Sequence, residues 1–136
     1  LRFAWGAVVS DEQVHVLRAL TSHGFDHRVI DAGFNVVTGL SNPKNLTLAP
    51  DAGVFLAAGP APGQITAFTI ADDSSIRMST LDGTTWSDWA EVEPPSELPR
   101  SCISGVATPD SEGRIALVWT EEDMSAFQLK GALVSP

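Results

Sequence analysis

Three stretches of the 136-residue chain superimpose at a spacing of about fifty residues, which limits it to folds built from a repeated module. The cores are Gln13-Val14-His15-Val16-Leu17-Arg18-Ala19-Leu20, Gln64-Ile65-Thr66-Ala67-Phe68-Thr69-Ile70 and Arg114-Ile115-Ala116-Leu117-Val118-Trp119. Each follows a polar or Gly-containing turn, and each turn follows a run of small and apolar residues. Modules of this size pack as arrays, so function is to be sought on the surface the array makes.

The patterning has period two, and β-branched and aromatic residues concentrate in the cores. Val14, Val16 and Arg18 alternate with His15, Leu17 and Ala19, a run apolar on both faces, which predicts a strand covered on both sides. One unit then reads as four strands. In the second unit these are Val54 to Gly59, Ile65 to Ala71, Ser75 to Leu81 and Trp86 to Val92, with Asp82-Gly83 marking the last hairpin. The first unit gives Phe3 to Val9, Gln13 to Leu20, Phe25 to Ile30 and Phe34 to Leu40. The third gives Ile103 to Thr108, Arg114 to Thr120, Met124 to Lys130 and a short fourth strand, Ala132 to Val134. The chain is therefore expected to be all-β, a single repeat domain with units of about 1–44, 45–100 and 101–136. Propeller blades are the leading architecture and a β-trefoil is the alternative. Gly6-Ala7-Val8, Ala57-Ala58-Gly59 and Ser104-Gly105-Val106-Ala107 suit first strands that converge on an axis, where only small residues fit.

A net charge of −9 with only eight Lys and Arg residues argues against nucleic acid and against anionic membranes. No apolar run approaches the roughly 20 residues of a membrane helix. The chain does not begin with Met, which suggests excision or processing. Cys102 is the only cysteine and is expected to be buried beside Ile103. The sequon Asn45-Leu46-Thr47 leans toward secretion. His15, His23 and His27 read as surface or half-buried residues, and no metal or cofactor is expected.

Trp86 and Trp89 lie three apart on one predicted strand and so should point to opposite faces, one packing and one free to stack on a sugar. Arg77 and Asp82 are placed to hydrogen-bond hydroxyls. Trp119 and Trp5 are candidate equivalents in the other units.

Asp82-Gly83-Thr84-Thr85-Trp86-Ser87-Asp88-Trp89 resembles the repeats of PLL-type bacterial lectins, in which an Asp-Gly turn precedes a Trp-Ser-x-Trp strand. Gly63 to Val92 matches that order in full. The first unit matches loosely, with Phe34 in place of the first Trp, and the third matches only in its first half. The same segment is similar to the Asp-box of sialidase-like propellers, with Ser79, Gly83, Thr85 and Trp86 in place, but Leu81 stands where that motif has Asp. The resemblance implies a non-enzymatic propeller module that binds glycan, for which Trp86, Trp89, Arg77, Asp82 and Trp119 are the candidate ligand-binding residues. A sialidase would need a Tyr nucleophile, and the chain has no Tyr. Three units are too few for a typical propeller, so the resemblance also implies a homo-oligomer or the remainder of a larger ring. A protein-interaction or structural propeller segment is the alternative function.

Overall fold

The computed structural model describes residues 4–20, 24–37, 40–108 and 112–136. Twelve strands form three antiparallel sheets; no sheet closes into a barrel, and no helix occurs among the described residues. The chain is all-β, as the patterning predicts. The barrel that a trefoil requires is not formed.

The first sheet runs β1 (Trp5–Ser10), β2 (Gln13–Ala19), β3 (Phe25–Ile30) and β4 (Val36–Val37) in spatial order. The second runs β5 (Val54–Ala58), β6 (Ile65–Ile70), β7 (Ile76–Asp82) and β8 (Thr85–Trp86), with β9 (Ala90–Glu93) also on β7. The third runs β10 (Arg100–Ala107), β11 (Ile115–Asp123) and β12 (Ala126–Val134). Short turns make each a meander. Asp82 pairs with Thr85 across Gly83 and Thr84, and Gly83 has φ +64°, the positive value that the first position of a type II′ hairpin requires.

Four expectations fail for local reasons. Ala132 to Val134 is not a separate strand: β12 stays paired with β11 from Asp123↔Ala126 to Ile115↔Val134, and the chain turns at Met124-Ser125. Phe34 does not begin a strand; it is exposed in a turn at φ 62°, and β4 starts at Val36. The predicted strand Trp86 to Val92 is broken into β8 and β9, because Ser87 turns its hydroxyl and its backbone onto Thr80 and Ser79. Cys102 is exposed, at φ 55° in an irregularity of β10 where pairing shifts between Ser101 and Ser104. The turn residues 21–23, with His23, lie outside the described residues.

The sheets stack in chain order. All six residues of β6 are buried, and their alternation splits them between two apolar clusters. Ile65 and Ala67 join Leu17, Ala19 and Phe25 of the first sheet. Phe68 and Ile70 join Ile115, Leu117 and Trp119 of the third. The first strands come closest: a Cβ on Gly6 would lie 2.6 Å from the Val54 carbonyl oxygen, and one on Gly105 would lie 3.0 Å from the Phe55 ring. Small residues there permit the contact. Coverage on both faces holds only for the middle sheet. In the first, His15, Leu17 and Ala19 are buried, whereas Val14 and Arg18 are exposed and Val16 is half-buried.

Candidate functional site

The register of the first sheet builds a groove on its uncovered face. Trp5 on β1 pairs with Arg18 on β2, which pairs with Asp26 on β3; one pleat along, Ala7, Val16 and Arg28 form the next row. Because side chains two apart share a face, these rows project together. Trp5, Val16, Arg18, Asp26 and Arg28 line a concavity of about 380 Å³.

Asp26 organises the groove. Arg18 donates from Nη2 to Asp26 Oδ2 at 3.0 Å, and Arg28 donates from Nε to Oδ1 and Oδ2 at 3.1 and 3.2 Å. The carboxylate is mostly covered while both guanidinium groups stay half or more exposed. Each guanidinium has five N–H donors, so most remain free toward solvent. Beside them the Trp5 ring is 65% exposed. An aromatic face next to a bank of donors anchored on one carboxylate suits a ligand with both C–H surface and oxygen acceptors.

The residues singled out from sequence are dispersed. Trp86 is buried in the contact between first and second sheets, with its indole N–H donating to the Ser41 carbonyl at 3.1 Å. Trp89 is half-buried in the same contact, donates to the Lys44 carbonyl at 2.7 Å, and packs its ring 5.1 Å from Phe25. The opposite-face expectation fails because the break between β8 and β9 returns both rings to one cluster. The segment Ser41 to Lys44 is fixed further by a Ser41 hydroxyl bond to the Thr84 carbonyl and a Lys44–Asp88 ion pair. Arg77 donates to Ser75 Oγ at 2.7 Å and pairs with Asp73, where Ser75 and Arg77 hold the carboxyl below its ordinary range. Asp82 is exposed at the hairpin. Trp119 is buried under the Arg100 guanidinium, 5.8 Å from the ring centre. Trp5 is the one tryptophan whose ring is open to solvent. Arg18, Asp26 and Arg28 were legible only as alternating polar residues; their convergence depends on the β2–β3 register.

A second polar cluster lies between the first two sheets. His15 and His27 are both buried, with ring centres 5.3 Å apart and planes within 15°. This corrects the surface or half-buried reading of these residues. His27 Nδ1 meets the Ser41 carbonyl at 3.3 Å, and a carbonyl only accepts, so Nδ1 carries the proton. His27 Nε2 is then the acceptor for His15 Nδ1–H at 3.0 Å, and the buried His15 Nε2 is left without a partner. Among the described residues no group of three or more His, Cys, Asp or Glu is placed to hold a metal ion.

No family model matches the sequence, and no curated protein matches it. Among solved structures, the chain is similar to an arginine-to-alanine triple mutant of AofleA from Arthrobotrys oligospora, with 14% identity and a TM-score of 0.69. The similarity covers 97% of this chain and 43% of that one, so this chain spans less than half the length of the protein whose fold it shares.

Proposed function

We propose that this chain is a non-enzymatic, glycan-binding module of the β-propeller type, each sheet serving as a blade. The observation that carries the reading is the solvent-open Trp5 ring beside the Arg18–Asp26–Arg28 cluster. The ring would stack on the C–H face of a sugar, and the free guanidinium donors would bond its oxygens. Asp26 holds both arginines, so little side-chain freedom is lost on binding. The likeness in fold to AofleA, a fungal lectin, supports the same direction. Hydrolysis by the usual pair of carboxylates is disfavoured, because Asp26 is the one carboxylate among the described residues that line the groove.

The test is a glycan array probed with wild-type chain, Trp5→Ala and Trp89→Ala. Trp5→Ala should weaken binding by about tenfold or more, corresponding to roughly 1.4 kcal/mol. Trp89→Ala, whose ring packs between sheets, should act on thermal stability first. An array on which the wild type retains no glycan, or on which Trp5→Ala binds as the wild type does, removes the reading.

A further inference from the structure

The stacking of the sheets follows one rule, applied twice. Val14, Ile65 and Ile115 occupy equivalent positions in the three cores. Ile65 faces the first sheet, Ile115 faces the second, and Val14 faces solvent. Leu17, Phe68 and Val118 are equivalent on the opposite face. Leu17 meets the second sheet, Phe68 meets the third, and Val118 faces solvent. The array therefore ends in two uncovered faces of opposite kind, each the type that the other kind covers inside the molecule.

Both end faces are apolar. The first carries Trp5, Val9, Val14 and Val16. The last carries Val106, Val118, Leu133, Leu129 and Phe127, with Leu129 75% and Phe127 70% exposed. Contiguous exposed apolar surface of this kind marks an interaction site. The first face carries Arg18 and Arg28 against the single carboxylate of Asp26, and the last carries Glu122 in the row of Phe127, so the residual charges are of opposite sign.

We propose that the occupant of each end face is a second copy of this chain, the last sheet of one stacking on the first sheet of the other, twice. Two chains of three sheets then close a ring about a two-fold axis and cover the valine rows of the first face and the Val118 and Leu133 rows of the last. The copy number follows from the span of the fold: 97% of this chain superposes on 43% of the AofleA chain, which leaves room there for about two such units. The groove of Trp5, Arg18, Asp26 and Arg28 lies on the contacting face, so the partner's last sheet would supply its second wall. Association itself needs no sugar and is measured without one.

Light scattering on the eluting 136-residue chain, over a wide range of concentration, should give twice the 14.4 kDa of one chain. Val9→Glu on the first face and Leu129→Glu on the last should each weaken dimerisation by about tenfold or more. Both residues are exposed within one chain, so each variant should keep the wild-type far-UV circular dichroism. A wild type that elutes as a monomer throughout overturns the proposal. So does a series of sizes that grows with concentration, since that is an open stack, and so does either variant dimerising as tightly as the wild type.

Discussion

His15 lies within the contact between the first two sheets with a lone pair that no donor meets. Protonating it there would place a charge in a dry contact already holding His27, so burial first and the neighbouring imidazole second depress its titration below the ordinary 6.5. His27 is depressed too, by burial, although the Ser41 carbonyl and Asp26 pull it the other way. The unfolded chain therefore takes up these protons first. Their contribution to stability is complete above the ordinary histidine value and is lost as the pH falls below it. The melting temperature should drop between about pH 7 and pH 5, and His15→Asn, which can still donate to His27, should make that slope shallower. An unchanged slope would refute the assignment. Asp73 and Glu121 are held below their ordinary values by Ser75 and Arg100 respectively, so their contribution fades in a separate, more acidic window, as the pH falls through the carboxylate range. Arg100 is the other residue on which much rests. Its buried guanidinium donates to Glu121 at 3.0 Å, to the Ser74 carbonyl at 2.9 Å and to the Pro94 carbonyl at 2.7 Å, joining the second sheet, the linker and the third. Arg100→Met strands a carboxylate and two carbonyls, and urea unfolding should show a loss of about 3 kcal/mol. A loss near zero would mean that water replaces the guanidinium.

Among the elements, the hairpins show both what the sequence pattern reveals and what it conceals. Asp82-Gly83 announces its turn, because glycine accepts positive φ without cost. The β1–β2 turn gives no such sign: Asp11 and Glu12 hold φ values of 51° and 60° without a glycine. The flanking ladder imposes that conformation through six register pairs, Trp5↔Arg18 to Ser10↔Gln13. Replacing Asp11-Glu12 with Asn-Gly should relieve it and raise stability by about 1 kcal/mol, read as a higher melting temperature. No gain would show that the turn is not strained. The strand cores were legible because alternation of β-branched and aromatic residues reports a pleated surface directly; β3 was read to the residue. The β8–β9 break was not, because a Ser hydroxyl that displaces a ladder bond carries no periodic signal. Close approach is legible once the small residues are aligned. Gly6→Ala sets a methyl 2.6 Å from the Val54 oxygen and should cost about 1–3 kcal/mol in a denaturant titration, since backbone cannot move aside as a side chain can.

For the whole molecule, the three-fold recurrence fixed the number of sheets, but not which faces would be covered. A strand apolar on both sides looks the same whether its second neighbour belongs to this chain or to another, so the Val14 and Val118 faces could not be told from the Ile65 face beforehand. For the same reason the groove is not legible in the sequence: its parts, Trp5, Arg18, Asp26 and Arg28, come from three strands and meet only through register. Hydrogen exchange separates the two kinds of coverage. The amides of β6 lie in the middle sheet under both apolar clusters and open only when the whole array unfolds. Those of β12 lie at a sheet edge, among side chains that are nearly all exposed within one chain. In a monomer, β12 should exchange quickly at any concentration. When a second chain covers Phe127, Leu129 and Leu133, its opening must break that contact too, so protection should rise with protein concentration while β6 stays constant. Leu129→Glu should abolish the concentration dependence in β12 and leave β6 untouched. Equal protection of both strands at high dilution would instead mean that the third sheet is held by its own chain alone, and that its apolar face is stable in water.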